Sequence, residues 1–216
     1  MRNYSHIIWD WNGTIINDAQ ISLDVFNTLA SNYNIASVDF DDYRNEFGFP
    51  VIDFYKRHGF DFSKVDFRKI GRDFIEMYHK LLPENPLHKG IADILKSFLD
   101  SGITQSVLSA HNADMLRADV ERLGLSEFFV KVDGLSDIYA NSKTALGIAH
   151  IQSLGVAPEK ILMVGDTLHD KETADAMGVD CALVACGYNS KERLLLAEVP
   201  VFDNHEQLSD FLFKCL

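Results

Sequence analysis

Short apolar runs, each bounded by polar or glycine positions, recur along the last two-thirds of the chain, at 104–110, 129–134, 160–165 and 180–186. The run at 6–10 is of the same kind. Such runs fit strands of a parallel sheet buried on both faces. Helical spacing fills the gaps. Ile91, Ile94, Leu95, Phe98 and Leu99 form one stripe, and Leu116, Val120 and Leu123 another. Further helices are expected over 144–154 and 172–177. All four end at a glycine, Gly102, Gly124, Gly155 or Gly178, the residue that closes a helix in the left-handed conformation without steric cost. Strand and helix in alternation predict a doubly wound parallel sheet.

From Ile16 to Asn85 that rhythm stops. Phe26, Leu29, Ala30 and Tyr33 share one helical face; Phe67, Ile70, Phe74, Met77, Tyr78 and Leu81 share another. A short helix over 51–58 fits between them, with Pro50 suited to its first turn. No strand pattern is visible here, and Pro83 and Pro86 suit a stiff return to the sheet. The expected architecture is α/β: a Rossmann-like doubly wound core of residues 1–15 and 86–216, with an inserted all-helical cap of residues 16–85.

Composition narrows the function. With 216 residues, 47% apolar and 24% charged, the chain is of the globular class. A net charge of −12 disfavours nucleic acid and anionic membrane as partners, and no apolar stretch is long enough to span a bilayer. The polar start before Ile7 does not resemble a signal peptide, so a cytoplasmic location is expected, as monomer or homodimer. Cys181, Cys186 and Cys215 are odd in number and form no CxxC, which suggests neither a disulfide framework nor a zinc site. An anionic substrate would need a local cation.

In open α/β sheets ligands bind beyond the carboxyl ends of the strands. The polar residues expected there are Asp10, Ser109, Asp166 and Asp170, with Lys143 opening the helix before strand four. That set suits phosphoryl transfer. A carboxylate can attack phosphorus, further carboxylates can hold Mg²⁺, and a lysine can offset the transition-state charge.

The same residues carry a resemblance. Asp10-Trp11-Asn12-Gly13-Thr14 resembles the Asp-x-Asp-Gly-Thr signature of the haloacid dehalogenase-like (HAD) superfamily. Ser109, Lys143 and Gly165-Asp166-Thr167-Leu168-His169-Asp170 resemble its later motifs, in order, and the branch is the phosphoglycolate-phosphatase-like one with a helical cap. The resemblance implies a Mg²⁺-dependent phosphatase of a small phosphorylated metabolite, working through an aspartyl-phosphate on Asp10. It implies catalytic roles for Asp10, Asn12, Ser109 and Lys143. Substrate binding would fall to Gly13, Thr14, Ser109, Ala110 and Lys143. The metal would sit on Asp10, the Asn12 carbonyl, Asp166 and Asp170. Asn12 departs from the pattern, because phosphatases of the family carry there an aspartic acid that protonates the leaving oxygen and then activates water. An amide can do neither. The alternatives are a relative acting on an activated phosphate or a phosphonate, or a weakly catalytic phospho-ligand sensor.

Other residues have competing uses. Trp9 and Trp11 are expected in the core. Phe47 to Pro50 is either a specificity loop or a plain turn between helices. Arg44, Lys56 and Arg57 are expected as solvated charge or as contacts to a second anion, and Lys56 is also the cap lysine a phosphonate-cleaving mechanism would need. His111 is a candidate substitute acid or the neighbour of an Asn112 helix cap. His169 is expected exposed.

Overall fold

The structure, a computed structural model, describes residues 4–139 and 143–215, without the side chains of Lys214 and Cys215. Six parallel strands form one sheet: β1 (His6–Trp9), β2 (Thr104–Asn112), β3 (Lys131–Leu135), β4 (Ile161–Gly165), β5 (Asp180–Val184) and β6 (Val201–Phe202). Their order is β3-β2-β1-β4-β5-β6. The chain therefore reverses direction across the sheet between β1 and β4, where Trp9 pairs with Val107 on one side and Val164 on the other.

Alternation along the strands feeds two cores. Ile7, Trp9, Val107, Leu162 and Val164 face α5 (Ile91–Asp100), α6 (Ala113–Arg122) and α10 (His205–Cys215). Ile8, Leu108, Ile161, Met163 and Leu183 face the other way, onto α7 (Thr144–Leu154), α8 (Leu168–Met177) and α9 (Lys191–Leu194). Each fully buried large apolar side chain contributes about 1.5–3 kcal/mol, so the pattern that predicted the strands also supplies the drive that stacks the layers. Both tryptophans are in the core as expected, Trp9 with its indole N–H donating to Gln105 at 3.0 Å.

Helices α1 (Ala19–Ser31), α2 (Phe40–Glu46), α3 (Val51–Arg57) and α4 (Phe67–Leu81) follow β1 and build a separate apolar cluster around Phe26, Phe54 and Tyr55. Among the described residues outside the helical segment, Tyr188, in the loop after β5, is the one buried within that cluster. Pro50 caps α3 instead of entering its first turn.

Several boundaries differ from expectation. β2 runs on to Asn112, so Ser109 lies within the strand and not at its end. α8 starts four residues earlier than its apolar pattern suggests, because Thr167 and Asp170 form a capping box. α2, β6 and α10 had no clear sequence signal.

A polar ladder ties three strands together. His6 meets Thr104 Oγ1 at 2.7 Å and Ser106 Oγ at 2.8 Å; Ser106 meets His150 Nε2, whose Nδ1 meets Asp133, each at 2.8 Å. Burial and then the neighbouring His150 hold His6 down to about 4, and burial lowers His150 too. Both rings bind protons more weakly folded than unfolded. Their stabilisation is complete above the unfolded value of 6.5 and is lost as pH falls from there toward about 4. Thermal midpoints should therefore drop between pH 7.5 and 4.5, by ~2–4 °C for each kcal/mol lost. The drop should be shallower in His6→Gln. An equal slope in that variant would exclude His6 as a source.

Candidate active site

Four predicted residues converge where the sheet reverses. Asp10 follows β1, Asp166 follows β4, Asp170 lies in the first turn of α8, and Lys143 caps the start of α7. Lys143 is 2% exposed and Asp170 1%. The Lys143 ammonium pairs with Asp10 Oδ1 and with Asp170 Oδ1 at 2.7 Å, and donates to the Leu108 carbonyl at 3.2 Å. Asp170 Oδ2 accepts from Asp166 N at 3.1 Å, Thr167 N at 2.9 Å and Thr167 Oγ1 at 2.7 Å. Asp166 accepts from Thr14 Oγ1 at 2.8 Å and Tyr188 N at 2.6 Å.

Two glycines make room for Asp166. A Cβ on Gly13, whose φ is +76°, would lie 2.2 Å from Asp166 Oδ2. One on Gly187 would lie 2.1 Å from the same atom. Contacts that close exclude any side chain, so both loops press their backbone on the carboxylate.

Three buried carboxylates face one ammonium. Burial, with Asp170 adding repulsion, pushes Asp10 up to about 7 despite Lys143. Burial, then Asp170 and Asp10, hold Asp166 well above the carboxylate range. Burial opposes ionisation of Asp170 also, but Lys143 outweighs it and lowers that group. Lys143 is itself raised, since the two carboxylates overcome its burial. Carboxylate oxygens of Asp10, Asp166 and Asp170 lie within 4.8 Å of one another. An oxygen-rich cluster with this surplus of negative charge fits a hard divalent cation such as Mg²⁺.

The sequence profile of the haloacid dehalogenase-like hydrolases matches residues 7–184, which holds all four of these residues. The chain belongs to that family. It is similar to a phosphoglycolate phosphatase of Synechococcus elongatus, 22% identical over 191 residues, 88% of each chain. The corresponding protein of Agrobacterium fabrum is 25% identical over 218 residues, 97% of this chain and 92% of that one. Among solved structures, a predicted phosphatase from Clostridium acetobutylicum superposes with a TM-score of 0.79 at 19% identity, over 98% of this chain and 99% of that one. CbbY from Rhodobacter sphaeroides, in complex with xylulose-(1,5)bisphosphate, does so at 0.72 and 20%, over 93% and 94%. The chain is thus a phosphoglycolate-phosphatase-like HAD hydrolase with the Rossmann-like fold of that superfamily.

In this hydrolase Asn12 is tied into a network that sequence reasoning missed. Its Nδ2 donates to Asp18 Oδ2 at 2.6 Å and to Tyr78 OH at 3.1 Å. Asp18, 1% exposed, also accepts from Gly13 N at 2.8 Å, Tyr78 OH at 2.6 Å and Tyr188 OH at 3.0 Å. Burial raises the Asp18 carboxyl, and those donors offset only part of the rise. An Asp six residues after Asn12 gives no signal on its own; only the loop's return brings them together.

A cavity opens from Asp10 and Lys143 toward the helical segment. Asn12, Ser109 and Ala110 line it near the carboxylates, and Phe49, Phe54, Phe67 and Phe74 line it opposite. Gly13 and Thr14 sit behind the cavity wall, Thr14 fully buried with its hydroxyl on Asp166. Phe47 and Phe49 reach the cavity, so the 47–50 turn does face the site.

Other candidates lie elsewhere. Arg44 donates to the carbonyls of Ala185 at 2.7 Å and Asn189 at 2.9 Å, and Arg57 to that of Glu46 at 2.8 Å. Lys56, the lysine considered for a Schiff base, pairs with Asp53 at 3.0 Å, is half exposed and does not line the cavity. His111 lines the cavity, but burial holds it down to about 4, so near neutrality it has no imidazolium proton to give. Asn112 caps α6 as expected. His169 corrects its expectation: it is buried, its ring tilted against that of Phe49 with centroids 4.8 Å apart, and it accepts from Lys143 N at 3.3 Å.

Proposed function

We propose that this hydrolase is a Mg²⁺-dependent phosphatase of a small phosphorylated metabolite, with Asp10 as nucleophile. The observation that carries the proposal is the buried Asp10–Lys143–Asp170–Asp166 cluster, of which Asp10, Lys143 and Asp170 line the cavity. Asp10 would attack phosphorus as the bond to the leaving oxygen breaks, and water would then release phosphate from the aspartyl-phosphate. Lys143 and Ser109 would hold the phosphoryl oxygens, Ala110 lending wall to the same pocket. Gly13 and Thr14 would act from behind, by shaping the loop and fixing Asp166. Mg²⁺, held by Asp10, Asp166 and the Asn12 carbonyl, with Asp170 near it, would neutralise charge on the phosphoryl group. Residues 16–85 would form the cap that shuts out water, and residues 1–15 and 86–216 the core.

The cavity supports a substrate class. Among its described walls Lys143 is the only lysine or arginine, and it is already committed to two carboxylates. The opposite wall is aromatic. A second anionic group, such as the carboxylate of phosphoglycolate or the second phosphate of a bisphosphate, would find no second cation there, only neutral donors, and its desolvation would be offset only in part. An apolar or aromatic remainder fits better. Asn12, which cannot supply a proton, favours a leaving group that is stable as an anion.

Phosphate release from p-nitrophenyl phosphate, with and without Mg²⁺, tests this. The expected result is Mg²⁺-dependent release that Asp10→Asn abolishes, with kcat/KM at least ~10-fold above that for phosphoglycolate. Binding of Mg²⁺ and phosphate without any release would instead support a phospho-ligand sensor. A preference for phosphoglycolate would contradict the substrate class.

A further inference from the structure

Three groups that phosphoryl transfer leaves unused converge behind the Asp10 loop. His88 follows the helical segment, Cys186 follows β5, and His205 opens α10. One ligand atom from each lies within 4.8 Å of the other two. The Cys186 sulfur is 3.9 Å from His205 Nδ1, and the two imidazole rings lie 5.0 Å apart between centroids. In a tetrahedral site with metal bonds of 2.3 Å to sulfur and 2.0–2.1 Å to nitrogen, sulfur and nitrogen stand about 3.6 Å apart.

We propose that His88, Cys186 and His205 form a second metal site, for a borderline-soft divalent cation of the zinc class. Two imidazoles and a sulfur select such an ion over Mg²⁺, which prefers the oxygen cluster next door.

The surroundings of each ligand support this. His205 is 3% exposed, its Nδ1 faces the sulfur, and its ring also meets the Thr14 backbone. His88 Nε2 lies 3.0 Å from the Gly13 carbonyl. A carbonyl only accepts, so Nε2 carries the hydrogen and Nδ1 keeps its lone pair, the arrangement that orients metal-binding histidines. Burial lowers both histidines, His205 to about 4, so both are neutral near pH 7 and able to ligate. Burial, then Asp166, push the Cys186 thiol up to about 12. Binding would therefore break the S–H bond, form the metal–sulfur bond and release one proton to solvent. Cys186 is only half-buried, which leaves an entry path. The site would tie α10 to the loop that carries Asp10 and Gly13. No metal-binding spacing announces it, because the ligands are 98 and 19 residues apart.

Co²⁺ titration of the full chain, with excess Mg²⁺ to occupy the carboxylates, tests the site. The expected result is one ion per chain, a thiolate-to-cobalt charge-transfer band and release of one proton. Asp166→Asn should keep the band, so the site stands whether or not the phosphatase proposal does. Cys186→Ser should abolish the band, and His88→Gln, which leaves the thiol in place, should weaken binding at least ~10-fold. Zn²⁺ should raise the melting temperature of the parent and not of Cys186→Ser. Absence of the band in the parent, or its persistence in Cys186→Ser, would overturn the proposal.

Discussion

Replacing Lys143 by methionine is expected to cost both activity and stability. Its ammonium is fully buried between Asp10 and Asp170, and methionine keeps much of the volume without the charge. The two carboxylates would then lie buried and unpaired. Breaking such a pair typically costs about 3–5 kcal/mol, or roughly 6–20 °C in melting temperature for a chain of this size. Loss of a cation aimed at the phosphoryl group should lower kcat/KM by about 10²–10³-fold. Mg²⁺ should raise the melting temperature of the variant more than that of the parent, because the surplus negative charge has become larger. Melting curves with and without Mg²⁺, beside steady-state kinetics, check all three. A variant within about 2 °C of the parent would mean the cluster is not held by this ion pair.

Exchanging the chemistry of Asn12 and Asp18 is expected to have the second large effect. Asn12→Asp alone restores the acid that family phosphatases use, but it sets a carboxylate oxygen 2.6 Å from Asp18 Oδ2, where an amide now donates. Two carboxylates that close must share a proton, as paired carboxyls do. The single variant should lose stability and gain little in rate. In the double variant Asn12→Asp, Asp18→Asn, the donor moves to position 18 and the acid to position 12. General acid–base help of about 10²–10⁴-fold on esters with poor leaving groups should then appear. Rates of the parent, both single variants and the double variant form a cycle. Additive effects would show that Asp18 does not restrain position 12.

The reach of the sequence had physical limits. The apolar runs around Ile7, Val107, Met163 and Leu183 marked four strands because each is buried on both faces, where a period of two is replaced by continuous hydrophobicity. β6, of two residues, is too short to leave a pattern, and α2 buries Tyr43 alone, so it has no apolar stripe to announce a helix. Asp10, Lys143, Asp166 and Asp170 could be named as a set from motif order, and folding brings them together. What surrounds them could not. Asp18 acquires its role from Tyr78 and Tyr188, which are 60 and 170 residues away. His169 looked like a solvent-facing helix position until Phe49 covered it. The missing second cation in the cavity was equally hidden: Arg44, Lys56 and Arg57 looked available in sequence, and only their hydrogen bonds and ion pairs show them spent elsewhere.

The central claim is that Asp10 is phosphorylated during turnover. Acid quench of the hydrolase mixed with Mg²⁺ and p-nitrophenyl phosphate, followed by borohydride reduction and peptide mass spectrometry, tests it most directly. Borohydride converts an aspartyl-phosphate to homoserine, so the account predicts homoserine at position 10, dependent on Mg²⁺ and absent without substrate. Phosphate release with Asp10 unmodified, or with the label on another residue, would contradict it.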